Sequence, residues 1–143
     1  MGAFVKTTGG KGLHVVTPIA PDREWEDTKV FAKAIAENMA QAKPELYIAT
    51  MSKSQRAGKI FIDYLRNART ATAICAYSTR ARTGAPVSVP LRWDELKKDK
   101  REEYFTIANV PTRLRRLGED PWRDYEAARR PITAAMRRNL GIE

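Results

Sequence analysis

The chain has one cysteine, Cys75, and one histidine, His14, among its 143 residues. A lone cysteine excludes an internal disulfide, and these two residues fall short of the Cys and His ligand set that a structural zinc needs. That fits a reducing compartment. Apolar runs are short: Ile60-Phe61-Ile62 is far below the roughly eighteen residues of a membrane span. The N-terminus also lacks the basic-then-apolar layout of a secretory signal, so a soluble cytoplasmic chain is expected, with no membrane partner. Only 8 Gly and 8 Pro, beside 43% hydrophobic residues, exclude a fibrous or disordered composition and allow a single core. Acidic residues are the scarcer charge, 17 against 26 basic ones, giving a net charge of +9. The excess is spread evenly, +4 over residues 1–70 and +5 over 71–143. A basic body of this kind favours a polyanionic partner such as nucleic acid or phosphate-bearing ligands.

The pattern of the chain predicts one α+β domain over residues 1–143, with a mixed or antiparallel sheet flanked by helices. A motif-bearing core spans about 6–97, and a helical part follows over about 98–143. A strand is expected over 13–19, entered from the glycine-rich stretch Gly9-Gly10-Lys11-Gly12. The clearest helix runs over 24–42, where Thr28, Phe31, Ile35, Met39 and Ala42 recur at three to four and Asp22 can cap the start. Short strands follow over 47–50, 59–65 and 70–77, the second apolar enough to be buried on both faces. Pro86 and Pro90 read as a loop leading to a helix near Trp93, and 110–117, 121–130 and 131–140 read as helices. The tryptophans Trp25, Trp93 and Trp122 suit core or domain-edge packing better than base stacking.

Three features could carry chemistry. In Thr8-Gly9-Gly10-Lys11-Gly12-Leu13-His14 the glycines permit a tight turn whose N–H groups face an anion, Lys11 adds charge and Thr8 a hydroxyl. The same residues equally suit a hairpin turn, and the spacing is neither a Walker A nor a dinucleotide fingerprint. Asp63, in an otherwise apolar stretch, needs a cation if buried: either a divalent metal or one of Arg56, Arg66 and Lys59. Arg56, Arg66, Arg69, Arg80 and Arg82 lie near expected strand ends, where guanidinium groups can hold phosphates bidentately. The arginines of the later helices read as solvated faces or contacts to a DNA backbone.

Taken together, segments 8–14 (TGGKGLH), 52–67 (SKSQRAGKIFIDYLRN) and 77–96 (YSTRARTGAPVSVPLRWDEL) resemble the polymerase domain of bacterial DNA ligase D. That domain belongs to the primase-polymerase superfamily and serves non-homologous end joining. The resemblance covers about residues 6–125. It implies that Thr8, where the family usually has Ser, together with Lys11, His14, Arg56 and Arg80, contacts a nucleoside triphosphate. It further implies that Asp63 is a catalytic carboxylate ligating Mn²⁺ or Mg²⁺, and that the protein acts on DNA ends at the nucleoid.

Family members hold two ions with the strand aspartate and an Asp-x-Asp pair upstream of the glycine-rich motif. No Asp-x-Asp occurs in these 143 residues, and one carboxylate cannot fix two ions. The resemblance therefore implies the C-terminal half of such a domain, binding triphosphate and DNA ends and transferring nucleotides only if the other half is supplied. The alternative is a non-catalytic basic DNA-binding or assembly module. A half-domain is also expected to expose apolar strand surface, which a separate N-terminal half or self-association would cover.

Overall fold

The computed structural model describes residues 1–96 and 105–142. The chain is α+β and divides into two compact units. One comprises Met1–Ile19 and Ile74–Arg130, the other Ala20–Ala73 and Pro131–Glu143.

In the first unit, Phe-Val-Lys-Thr and Leu-His-Val-Val flank five residues that include three glycines, a composition that favours strand, turn and strand. They form β1 (Phe4–Thr7) and β2 (Leu13–Val16), an antiparallel hairpin with Val5 opposite Val15 and Thr7 opposite Leu13. Strand β1 carried no separate sequence expectation, because a central lysine masks its apolar pattern. Its other edge pairs antiparallel with β5, Pro90–Leu91, so the three-stranded sheet runs β2-β1-β5.

Segment 86–90 was expected to be a loop, and it is instead fully buried. Pro90 is accommodated because β5 is an edge strand, where a missing N–H breaks no ladder. Val5, Val87, Val89, Leu91, Phe105 and Val110 make the core. That cover lies over β1 and β5. On β2, Leu13 remains 45% and Val15 60% exposed, so apolar strand surface is open there.

On the opposite face of β1, the Phe4 ring meets Trp122 and Tyr125 edge-on at 5.9 and 5.2 Å. Trp122 and Tyr125 stack, and the Trp122 indole N–H donates to the Val5 carbonyl at 3.0 Å. Trp122 thus packs as expected, and Trp93 donates to Ala3 at the unit's edge. Residues 121–130 form successive turns, not the expected helix, with the Asp120 carboxylate accepting the Trp122 N–H. Helix α2 spans Val110–Arg116. The helix expected near Trp93 is a 3₁₀ turn over Trp93–Glu95, and its continuation lies outside the described residues.

In the second unit, α1 spans Trp25–Ala42. Its N-cap is Glu24, with no side-chain capping bond, so the cap expected at Asp22 is not formed. Phe31, Ala34 and Ala36 are its buried residues, while Ile35 and Met39 stay exposed, so the face read from spacing is only partly the buried one. Strand β3 (Tyr47–Ile48) pairs in parallel with β4 (Ile60–Phe61).

The strand expected over 59–65 is therefore two residues long and far from buried, Ile60 being 63% exposed. It has one partner strand, and the Asp63 carboxylate accepts the Leu65 N–H at 3.1 Å, turning the chain out of the extended state. No strand forms over 70–77; Tyr77 adopts φ +60, which a continuing strand cannot hold. Helix α3 spans Ala134–Asn139.

Glu95 and Arg113 form a mostly buried ion pair at 2.9 Å beside the first unit's core. Burial pushes the Glu95 carboxyl up, but the Arg92 backbone N–H and the Arg113 guanidinium outweigh it and hold the group below its usual 4.5. Such a depressed carboxyl stabilises the fold fully above about pH 4.5 and loses that contribution as pH falls through the lower folded value. Glu95→Gln is expected to cost about 3 kcal/mol, since it leaves Arg113 buried without its counter-charge. Urea denaturation from acid to neutral pH should show that loss and a flatter acid limb.

Candidate nucleotide site

The site begins with two polar residues of β1 that point into protein rather than water. Lys6 is 4% exposed. Its ammonium donates to the Ile74 carbonyl at 2.7 Å and to Ser88 Oγ at 2.8 Å. Ser88 Oγ in turn donates to the Thr7 carbonyl at 2.7 Å. Burial lowers the Lys6 pKa from its usual 10.5, with Cys75 acting in the opposite sense. Thr7 completes the attachment: its hydroxyl donates to the Val87 carbonyl at 3.1 Å and accepts the Val89 N–H at 2.8 Å, while its own N–H donates to Val89 at 3.0 Å. Segments 74 and 87–89 are thereby fixed to the strand that enters the glycine-rich loop.

Between those attachments the chain makes a tight hairpin. Thr79 bridges Val87, the Arg80 N–H donates to Pro86 at 2.9 Å, and the Ala85 N–H donates to Arg82 at 2.9 Å. Ala85 holds φ +44 at its tip, a conformation that costs a non-glycine residue on the order of 1 kcal/mol. The hairpin lays its arginines across the glycine-rich loop. A Cβ built on Gly10 would meet Arg80 Nη1 at 3.0 Å and Arg82 Nη1 at 3.3 Å, and one on Gly9 would meet the Arg80 side chain at 3.3 Å. Gly9 also requires φ +62. Gly9 is held to glycine by that φ and by the Pro86 carbonyl, 3.2 Å from an added Cβ, whereas at Gly10 a Cβ would make the two arginine ends give by a few tenths of an ångström. Thr8 closes the loop by donating its hydroxyl to Gly12 at 2.9 Å, so that hydroxyl already has a partner within the turn.

Thr8, Lys11, His14 and Arg80 therefore belong to the first unit, with His14 paired across the hairpin to Lys6. Lys11, Arg80 and Arg82 form no ion pair among the described residues. Uncompensated guanidinium groups over a glycine turn suit an oligo-anion such as a phosphate chain. Lys6, Thr7 and Ser88 carried no sequence role in this site. Arg82 was legible only as one of several strand-end arginines, and the other three act through tertiary contacts.

Arg56 and Asp63 belong to the second unit. Arg56 stacks on Phe61 at 3.7 Å and donates to the Met51 carbonyl at 2.6 Å and the Thr50 carbonyl at 3.3 Å. Its guanidinium holds the 50–56 turn against β4. Asp63 is exposed, not buried as its apolar surroundings in sequence implied, and its charge partner is Arg66 at 3.5 Å. Among the described residues no three His, Cys, Asp or Glu gather to hold a metal ion. One exposed carboxylate with an arginine beside it does not fit a divalent-ion site by itself.

A family model described as LigD, primase-polymerase domain, matches residues 1–122. The chain belongs to that family. It is 46% identical over 140 residues to the multifunctional non-homologous end joining protein LigD of Pseudomonas aeruginosa, covering 97% of this chain and 17% of that protein. It is 40% identical over 116 residues to LigD of Mycobacterium tuberculosis, covering 81% of this chain and 15% of that protein. The solved polymerase domain of M. tuberculosis ligase D, in complex with DNA, matches with a TM-score of 0.79 and 38% identity over 87% of this chain and 43% of that one. The chain thus spans less than half of a solved LigD polymerase domain and about a sixth of the curated LigD proteins it matches. LigD polymerase domains are generally metal-dependent.

If Lys6 holds the arginine hairpin in place, Lys6→Met should cost about 1–3 kcal/mol through the acceptors it strands. Hydrogen exchange should then accelerate at the Tyr77 and Arg80 amides, which donate to Ser88 and Pro86, more than within the β1–β2 ladder.

Proposed function

We propose that this chain supplies the triphosphate-binding part of a LigD-type polymerase domain in double-strand-break repair by end joining. The observation that carries this is the laying of Arg80 and Arg82 across Gly9 and Gly10 with no acidic partner among the described residues. In this reading Lys11 and Arg80 neutralise the phosphate chain, Thr8 shapes the loop whose N–H groups face it, and His14 lies one strand position further in. Arg56 orders the turn before β4, and Asp63 contributes one carboxylate toward Mn²⁺ or Mg²⁺. Because one carboxylate cannot fix two ions, nucleotidyl transfer requires further carboxylates beyond Asp63, and no transfer step is assigned to these 143 residues alone. The net charge of +9 supports DNA ends as the second ligand.

A ribonucleoside triphosphate with Mg²⁺ should raise the melting temperature, and saturation at about a hundred times Kd corresponds to about 2.7 kcal/mol. Arg80→Gln and Gly10→Ala should each reduce that shift at least tenfold in apparent affinity while leaving the apo fold intact. An unchanged melting temperature with triphosphate, beside salt-sensitive DNA retardation, would favour the non-catalytic DNA-binding alternative. In primer extension with Mn²⁺ and ribonucleotides the chain alone is expected to be inactive; robust extension abolished by Asp63→Asn would overturn that expectation.

A further inference from the structure

The glycine loop offers positive charge and free donors, and the first unit offers it no carboxylate. Gly9, Gly10, Lys11 and Gly12 donate no backbone hydrogen bond among the described residues. Arg80 Nη1 and Arg82 Nη1 both reach the place that a Gly10 Cβ would take, at 3.0 and 3.3 Å. Guanidinium ends drawn to one point repel each other until an anion joins them. Backbone N–H groups that lack an internal acceptor complete the donor set for phosphate oxygens.

The described carboxylates of the first unit are all engaged elsewhere. Asp94 pairs with Arg92, Glu95 with Arg113, Glu119 and Asp124 with Arg123, and Glu126 with Arg129, while Asp120 accepts the Trp122 N–H. None of them lies in the glycine loop or in the hairpin over 77–88. Asp63 belongs to the second unit, where its carboxylate accepts the Leu65 N–H and faces Arg66. A divalent ion needs several oxygen ligands from protein, phosphate or water, and the described part of the first unit has no uncommitted carboxylate to give it.

Resting on the triphosphate reading above, we propose that the glycine loop grips the phosphate chain in its metal-free form, with Lys11, Arg80 and Arg82 supplying the positive charge that a divalent ion would otherwise bring. A divalent ion on the chain occupies oxygens and cancels charge that the guanidinium forks meet. The grip on the phosphates therefore does not wait for metal at Asp63, and it is directed at the phosphate chain itself.

The test is isothermal titration of the full chain with ATP, once in EDTA and once in excess Mg²⁺. ATP should bind in EDTA at least as tightly as in Mg²⁺. Inorganic tripolyphosphate in EDTA should bind too and should compete with ATP. Arg82→Gln should weaken ATP binding about tenfold in EDTA, as the loss of one charge-assisted hydrogen bond predicts. Lys43→Gln with Lys53→Gln removes charge from the second unit and should leave the affinity near the wild-type value; a loss equal to that of Arg82→Gln would mean a general field effect and overturn the proposal. Tighter binding in Mg²⁺ than in EDTA would also overturn it, and loss of that gain in Asp63→Asn would assign the metal to Asp63. Binding of ATP without binding of tripolyphosphate would place the grip on base or sugar and overturn it as well. Failure to bind in either buffer would overturn the triphosphate reading itself, whereas binding confined to Mg²⁺ would leave that reading standing and overturn only the metal-free grip.

Discussion

The arrangement of the arginine hairpin depends on a lysine that does not reach water. The Lys6 ammonium spends its hydrogen bonds on Ile74 and Ser88, and the Ser88 hydroxyl passes the connection to Thr7. Burying an ammonium is unfavourable unless its donors are met, which is why its pKa falls and why its acceptors have so little freedom to move. The consequence is geometric. Two stretches of chain, 74 and 87–89, are held against β1, and the hairpin between them lays Arg80 across the glycine loop.

That arrangement accounts for the glycines better than loop flexibility does. Gly9 needs a left-handed backbone, and at Gly10 an added methyl would press on both arginines. The loop and the hairpin are complementary surfaces, one lacking side chains and the other supplying charge. No carboxylate among the described residues answers that charge, and guanidinium forks over backbone N–H groups suit a phosphate chain as the complement. The carboxylate chemistry of the family is a different matter: Asp63 stands exposed beside Arg66, able to donate one ligand but not to organise an ion.

Much of this was legible in the residues. Thr8-Gly9-Gly10-Lys11-Gly12 announced a turn suited to anions, and α1 was visible from the recurrence of Phe31 and its neighbours. The failures share a cause. Ile60-Phe61-Ile62 is apolar enough for a central strand, yet β4 has one partner and ends at an Asp63 turn. Val87 and Val89 lie between prolines that suggest a loop, yet they form the core because Thr7 supplies the hydrogen bonds that a proline-containing segment cannot find along its own length. Local composition reports what a segment can become, while pairing partners decide what it does become.

The sequence by itself determined the α+β class, the basic character of the whole body, the glycine turn and the family to which the chain belongs. Those properties reside in residue type and spacing. Only the tertiary structure decided that Lys6 is a buried anchor, that Arg80 and Arg82 meet the glycines while Arg56 braces its own turn on Phe61, and that Asp63 is exposed. The physical reason is that each of these depends on a hydrogen bond, ring or missing Cβ contributed by another residue, several of them from distant parts of the chain. No local pattern encodes which donor will find which acceptor once the core has closed.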